Sequence, residues 1–301
     1  MSDRVHVRAH AKANLLLRVL AREADGYHGL ETLFALLELH DLLEAERRPG
    51  RDVTIEVHGA DVGPDADNLA ARAAGLVLDA TGRRFGVHLR LVKRIPAQAG
   101  LGGGSADAAA ALHLVNHLAG QAVPRHELLQ LAARLGSDVP FCASGAPFAL
   151  AWGHGERLLR LPALPAVPAL VVQPPVAVAT PEAYGWVDAA RPAGSKRGAV
   201  ALDLESLGSW GSVARMAAND FESVVFGQRP AVRAAFEALA GTGPFLCRMS
   251  GSGSALLALY RTPEQRDDAA RRLGTRHGVV LPTATLAHAA PGPEAAGEGE
   301  V

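Results

Sequence analysis

The sequence predicts an α+β protein built as two domains, and three observations lead there. At 301 residues with 49% hydrophobic composition the chain is globular but long for a single core. Short runs of alternating apolar residues, which read as strands, are interspersed with stretches whose apolar residues recur at helical spacing. After about residue 158 the texture changes, with Pro162, Pro165 and Pro168 flanking short apolar runs. The expected division is therefore a first domain over 1–158, a second over 159–290, and a tail over 291–301, rich in Gly, Glu and Pro, that buries nothing and is expected to be disordered.

In the first domain Val5, Val7 and Ala9 alternate with His6, Arg8 and His10, a half-buried strand expected to end on Lys12 and Asn14. Residues 22–33 read as a turn around Asp25-Gly26, followed by Tyr27 and His28. Tyr27 either packs or lays its ring against a flat base, and His28 offers hydrogen bonds to the edge of such a base. Val53, Ile55 and Val57 form a second strand. Asp67-Asn68 caps a helix with Leu69, Ala73, Leu76, Val77 and Ala80 on one face. Val87, Leu89 and Leu91 form a third strand, which ends at Lys93 and Pro96.

That strand delivers the chain into Pro96-Ala97-Gln98-Ala99-Gly100-Leu101-Gly102-Gly103-Gly104-Ser105-Ala106-Asp107. A helix cap needs one glycine, and this loop has four, which lets backbone amides approach an anion without a Cβ in the way. Ser105 and Asp107 suit the first turn of the next helix, where exposed N–H groups hold phosphate oxygens. Ala108, Ala111, Leu112, Val115 and Ala119 give that helix one apolar face. A second helix through Leu128, Leu131, Ala132 and Leu135 stops at Gly136, before Ser137-Asp138-Val139-Pro140. Asp138 reads either as a helix N-cap or as a carboxylate set beside an apolar segment. A strand over 148–152 and a turn over 153–156 complete the domain.

In the second domain strands are expected at 170–172, 255–259 and 279–286, with helices opening at Asn219-Asp220-Phe221-Glu222 and running over 231–240 and 266–273. Residues 191–212, rich in Gly, Ser, Arg and Lys, read as a mobile loop containing Lys196, and 251–254 as a second glycine turn.

Composition removes several function classes. A formal charge of -1 offers no basic field for nucleic acid or an anionic membrane, and the apolar runs are too short and too often broken by proline to span a bilayer. The first residues lack the apolar core of a signal peptide, so a cytoplasmic protein is expected, with no obligate protein partner. Cys142 and Cys247 read as buried reduced thiols, and His113 and His117 as a solvated helix edge rather than metal ligands. Of the 30 basic residues only Lys12, Lys93 and Lys196 are lysines. A chain that uses arginine for generic positive charge keeps lysine where a compact ammonium must meet a single oxygen, which makes Lys12 a candidate site residue.

The glycine spacing matches neither Gly-x4-Gly-Lys-Ser/Thr nor Gly-x-Gly-x-x-Gly. Pro96-x3-Gly100-Leu101-Gly102-Gly103-Gly104-Ser105-Ala106-Asp107 instead resembles the nucleotide loop of the GHMP small-molecule kinases, named for galactokinase, homoserine kinase, mevalonate kinase and phosphomevalonate kinase. Lys12-Ala13-Asn14, Asp25-Gly26-Tyr27-His28, Gly136 to Pro140, Gly153 to Glu156, Thr180 to Tyr184, Asn219 to Glu222 and Gly251 to Ser254 extend the resemblance over nearly the whole chain. They are similar to the branch that acts on a cytidine-diphosphate-linked polyol. The resemblance implies a ribosomal-protein-S5-like N-terminal domain with a left-handed crossover, a ferredoxin-like C-terminal domain, and ATP-dependent phosphorylation of the 2-hydroxyl of 4-(cytidine 5'-diphospho)-2-C-methyl-D-erythritol in the non-mevalonate (MEP) route to isoprenoids. It implies ATP at residues 96–106, Lys12 and Asp138 flanking the acceptor hydroxyl, and Asn14, Tyr27, His28 and Tyr184 on the substrate, the two tyrosines sandwiching cytosine. Mg²⁺ is expected with ATP, with Ser105 as its candidate ligand. Two alternatives share the loop. A GHMP kinase for another acceptor has no need of Tyr27-His28, and a non-catalytic nucleotide binder has no need of Lys12 and Asp138.

Overall fold

The computed structural model describes residues 3–23, 26–60, 63–191 and 202–295. Residues 192–201 of the loop expected at 191–212, Lys196 included, fall outside them, and its last residues open a helix at Trp210.

Strands β1 (Arg4–Arg22) and β2 (His28–Arg48) form one long antiparallel hairpin. The expected first strand is therefore too short: Lys12 and Asn14 lie mid-strand, and residues 28–33, read as part of a turn, open β2. β1 alternates only over its first residues and is then buried without a break from Ala9 to Leu17, because it is covered on both faces. β3 (Val53–His58), α1 (Leu69–Ala80) and β4 (Gly86–Val92) form a parallel crossover, with the Asn68 side chain accepting from the Ala70 amide as α1's cap. α2 (Gly103–Leu118), α3 (Arg125–Ala133) and α4 (Val139–Ser144) follow, then β5 (Phe148–Gly153), which pairs with β2, and β6 (Arg157–Arg160), which pairs with β5. The N-terminal sheet thus extends through β6, past the division expected at 158.

α2 departs from the expected single apolar face. Every residue from Ala106 to Leu112 is buried, since α1 and β1 pack on one side and α4 on another. Its alanines suit this, because a helix with small side chains on all sides can be closely approached from each. His113 is not a solvated edge either. Its Nε2 bonds the Ala143 carbonyl oxygen at 2.8 Å, and burial holds its pKa below the ordinary histidine value.

The C-terminal part contains β7 (Pro168–Gln173), α5 (Thr180–Ala190), α6 (Trp210–Met216), β8 (Ala218–Asn219), α7 (Phe221–Gln228), α8 (Pro230–Ala240), β9 (Leu246–Met249), β10 (Leu256–Leu259), α9 (Pro263–Leu273), β11 (Val279–Ala284) and β12 (Glu294–Ala295). Its sheet runs β11-β7-β10-β9 with every neighbour antiparallel. With helices between β7 and β9 and between β10 and β11, this is the split β-α-β-β-α-β arrangement of a ferredoxin-like domain. Two of the later elements return to the first sheet, β8 beside Leu16–Leu17 and β12 beside Val5–His6, so residues 294–295 of the segment read as a tail are strand-paired. The Asp220 carboxylate accepts from the Val19 amide at 2.7 Å, and Leu17 and Val19 pack into the core of the second domain. β1 is the element both domains share.

Candidate active site

The glycines of the loop do different jobs. Gly100 and Gly102 have φ of +79° and +67°. A Cβ on Gly100 would stand 2.2 Å from the Ser250 carbonyl oxygen, and one on Gly102 would stand 2.7 Å from Lys12 Cγ. These two let the loop touch the second glycine turn and the catalytic lysine candidate. Gly104 would make only an ordinary 3.5 Å contact with Leu69, so its missing side chain serves the open side of the loop. That side is a cavity of about 640 Å³ lined by the loop together with Asn68, Leu69 and Lys93. No side chain caps α2, which leaves its first-turn amides for an anion.

Asp107 contributes to the wall of that cavity, but its carboxylate is bound by a lysine. Its Oδ2 accepts from Lys93 Nζ at 2.6 Å, and Lys93 Nζ also donates to Asp41 Oδ2 at 2.5 Å. Asp41 Oδ1 in turn accepts from the backbone amides of Arg94 and Ile95. Lys93 stands at the head of the loop and Asp107 at its end, so the buried ion pair closes the loop at its base. Burial opposes a charge on Lys93, and the two carboxylates outweigh it, raising its pKa. Burial first, then the charge of Asp41, raises Asp107 against the opposing pull of Lys93. The signal for this staple was in the sequence: Lys93 is one of only three lysines.

β1 slips register between His10 and Lys12 and again between Asn14 and Leu16. Such irregularities re-aim side chains, and alternation puts Lys12 and Asn14 on one face of the strand. Lys12 is 3% exposed, with Nζ 2.7 Å from Asn14 Oδ1 and 3.2 Å from Asp138 Oδ2. Asn14 Oδ1 also accepts from the Gly251 amide, and its Nδ2 donates to Thr32 Oγ1, so Asn14 ties the lysine to β2 and to the second glycine turn. Asp138 precedes α4, but its side chain makes no capping bond there. Of the two readings open in the sequence the cap therefore falls away, and the carboxylate faces Lys12.

These groups line a second cavity of about 700 Å³, which also takes in Tyr27, His28, Tyr184, Asp188 and His154. It shares Gly100 and Ser105 with the loop cavity, so a phosphate held by the loop and a molecule in the second cavity meet beside Lys12 and Asp138. His28 Nε2 is 2.7 Å from Asp188 Oδ1, and its ring stacks on Tyr184 at a centroid distance of 5.0 Å. Burial first, then the charge of Asp138, pushes the Tyr184 pKa up to about 12. Tyr27 is 66% exposed and stacks on His154 at 5.3 Å. The two tyrosines line one cavity, each already backed by an imidazole. Asp188 had no signal at the level of motifs, since it acts through a contact 160 residues away in sequence. His154 lies in Gly153–Glu156, a turn that carries part of the resemblance but gave no role to the histidine.

Among the described residues no group of three His, Cys, Asp or Glu could hold a metal ion, and no helix is long and apolar enough to cross a membrane. A loop that offers one hydroxyl, Ser105, between two cavities fits Mg²⁺, which keeps several waters and completes its shell with phosphate oxygens.

Residues 68–146 match the model of the GHMP kinases N-terminal domain, and 199–280 match that of the GHMP kinases C-terminal domain. A 4-diphosphocytidyl-2-C-methyl-D-erythritol kinase from Solibacter usitatus is 44% identical over 85% of this chain and 81% of that protein. The chain belongs to the GHMP kinases. A kinase of the same name from Pelotomaculum thermopropionicum is 39% identical over 92% of this chain and 96% of its own. A crystal structure of 4-(cytidine 5'-diphospho)-2C-methyl-D-erythritol kinase superposes with a TM-score of 0.79 at 38% identity, covering 93% of this chain and 98% of that one. The two-domain α+β architecture is that of the GHMP family, and this GHMP kinase is an ATP-dependent enzyme with a small-molecule acceptor.

Proposed function

We propose that this kinase transfers the γ-phosphoryl group of ATP to the 2-hydroxyl of 4-(cytidine 5'-diphospho)-2-C-methyl-D-erythritol, a step of the MEP route to isoprenoids, in the cytoplasm. The observation that carries the reading is the meeting of the two cavities at Gly100 and Ser105, with the Lys12–Asp138 pair on the acceptor side. Similarity to kinases named for this substrate supports the choice of acceptor.

Residues 96–106 and the first-turn amides of α2 cradle the phosphates of ATP. Ser105 would hold Mg²⁺ beside them, and the ion would supply charge neutralisation to the phosphates. The acceptor oxygen bonds to the γ-phosphorus as the bond to the β–γ bridging oxygen breaks, and ADP leaves. The transition state is loose, so positioning and charge dominate. Asp138 orients the hydroxyl and accepts its proton late, once bonding to phosphorus has made that proton acidic. Lys12 holds Asp138 in place and offsets charge on the transferring group, while Asn14 fixes the ammonium.

Cytosine is read at the far end. Tyr27 and Tyr184 provide flat faces. Asp188 draws the Nε2 proton of His28, which leaves Nδ1 as an acceptor with no protein partner among the described residues. An acceptor there takes a hydrogen bond from the 4-amino group of cytosine and repels the 4-oxo group of uracil. A coupled ADP-release assay with the cytidine-linked erythritol beside mevalonate, homoserine and galactose tests the assignment. Turnover should be confined to the cytidine substrate, and comparable turnover of any other acceptor overturns it.

A further inference from the structure

Glu156 Oε2 accepts from the His154 amide at 2.7 Å, which closes the turn after β5 on itself. Gly155 seats that turn on the segment before Asp138, where a Cβ would stand 3.0 Å from the Ser137 carbonyl oxygen. The turn is therefore anchored in the first domain, and from it the His154 side chain reaches the end of the β1–β2 hairpin.

It meets the hairpin at two points. The imidazole stacks on Tyr27, with ring centroids 5.3 Å apart and the planes inclined by 28°. Its Nε2 lies 3.3 Å from Glu23 Oε2, a carboxylate acceptor, so Nε2 carries the proton. Glu23 completes the grip, because its own amide donates to the Tyr27 carbonyl oxygen at 2.7 Å. Ring and backbone of Tyr27 are thus both tied to His154, the ring directly and the backbone through Glu23.

Such a tie matters for a side chain that is 66% exposed. A tyrosine so placed has rotamer freedom to lose, and a ligand that stacks on a loose ring must first stop its motion. A ring has two faces, and with His154 on one the other is left for a flat guest. Both residues line the acceptor cavity.

We propose that His154 is a specificity-determining positioning residue, which holds Tyr27 in the orientation that stacks a pyrimidine and acts on the substrate only through that ring; the role rests on the acceptor being a cytidine nucleotide. A base stacked equally well before and during phosphoryl transfer contributes to KM and not to kcat.

The test is a double-mutant cycle in the full chain, read as kcat and KM for the cytidine-linked erythritol, KM for ATP, and Tm. His154→Ala should raise the KM for the cytidine substrate by about two- to tenfold, the scale of one side chain's lost preorganisation, while kcat, the KM for ATP and Tm stay as they were. His154→Phe, which keeps a ring to stack, should return that KM to within about twofold of the parent. In a Tyr27→Ala background, His154→Ala should add nothing. The proposal is overturned if the KM does not move, if the double variant shows the product of the two single losses, if phenylalanine serves no better than alanine, or if kcat or the KM for ATP changes in step. A parent chain that does not phosphorylate the cytidine substrate sinks the acceptor reading and this role with it, whereas turnover indifferent to His154 sinks the role alone.

Discussion

The two catalytic cavities are built in opposite ways. The loop cavity is mainly backbone: a single stretch with four glycines, a helix start without a side-chain cap, and a lysine and aspartate that tie off its two ends, with Asn68 and Leu69 on the facing wall. The acceptor cavity is side chain: a lysine and asparagine from β1, a histidine from β2, a tyrosine and aspartate from α5, a histidine from the turn after β5 and the carboxylate before α4. An anion can be held by any backbone whose amides converge, so that site can be local. Discriminating a base and activating one hydroxyl need several chemistries at fixed distances, which only distant segments brought together can supply.

The largest expected effect tests the acceptor side. Asp138→Asn removes the proton acceptor and keeps its shape, so kcat should fall by ~10²-fold or more while the KM for ATP hardly moves. Lys12→Arg should fail similarly, since the fork cannot occupy the position 2.7 Å from Asn14 and 3.2 Å from Asp138. A kcat within a few-fold of the parent in either variant, measured at saturating ATP, breaks the assignment.

The next concerns the loop. Gly100→Ala places a methyl against the Ser250 backbone at a positive φ, and a loss of at least about 1–3 kcal/mol in chemical denaturation is expected. Gly104→Ala has room, so its stability should stay within about 0.5 kcal/mol while the KM for ATP rises. Equal stability losses in the two would show that the glycines serve the fold alone.

Base recognition follows in size. Tyr27→Ala should weaken the cytidine substrate by about 1–3 kcal/mol and leave ATP unchanged, as KM values for both ligands will show. The smallest effect is expected for Asp188→Asn, which loosens the tautomer of His28 and should narrow the preference for cytidine over a uridine analogue without abolishing turnover. An unchanged ratio of kcat/KM for the two nucleotides removes Asp188 from the reading.

How much of this was legible in the sequence follows the same division. The loop, the cap at Asn68 and the strands at 53–57 and 87–91 are local patterns, and they stand where periodicity puts them. The length of β1 was not legible, because a strand covered on both faces loses its alternation and the polar pair Lys12 and Asn14 within it reads as a strand end. Asp107 was assigned by its position in a helix turn, although a lysine fourteen residues earlier decided its orientation. For Asp138 the sequence allowed two roles, and only the distance to Lys12 separates them. Asp188 and His154 became visible when folding set them beside His28 and Tyr27.

The sharing of β1 between domains also shapes how the chain can fold. The Val19 amide finds its partner 201 residues further along, and Asn14 finds the Gly251 amide 237 residues further along. Closing loops of that length is slow, and a strand as apolar as β1 remains a hazard until both sides are covered. Lys12 thus becomes a defined ammonium in a defined place late in assembly, and refolding should regain ATP-cradle structure before it regains turnover.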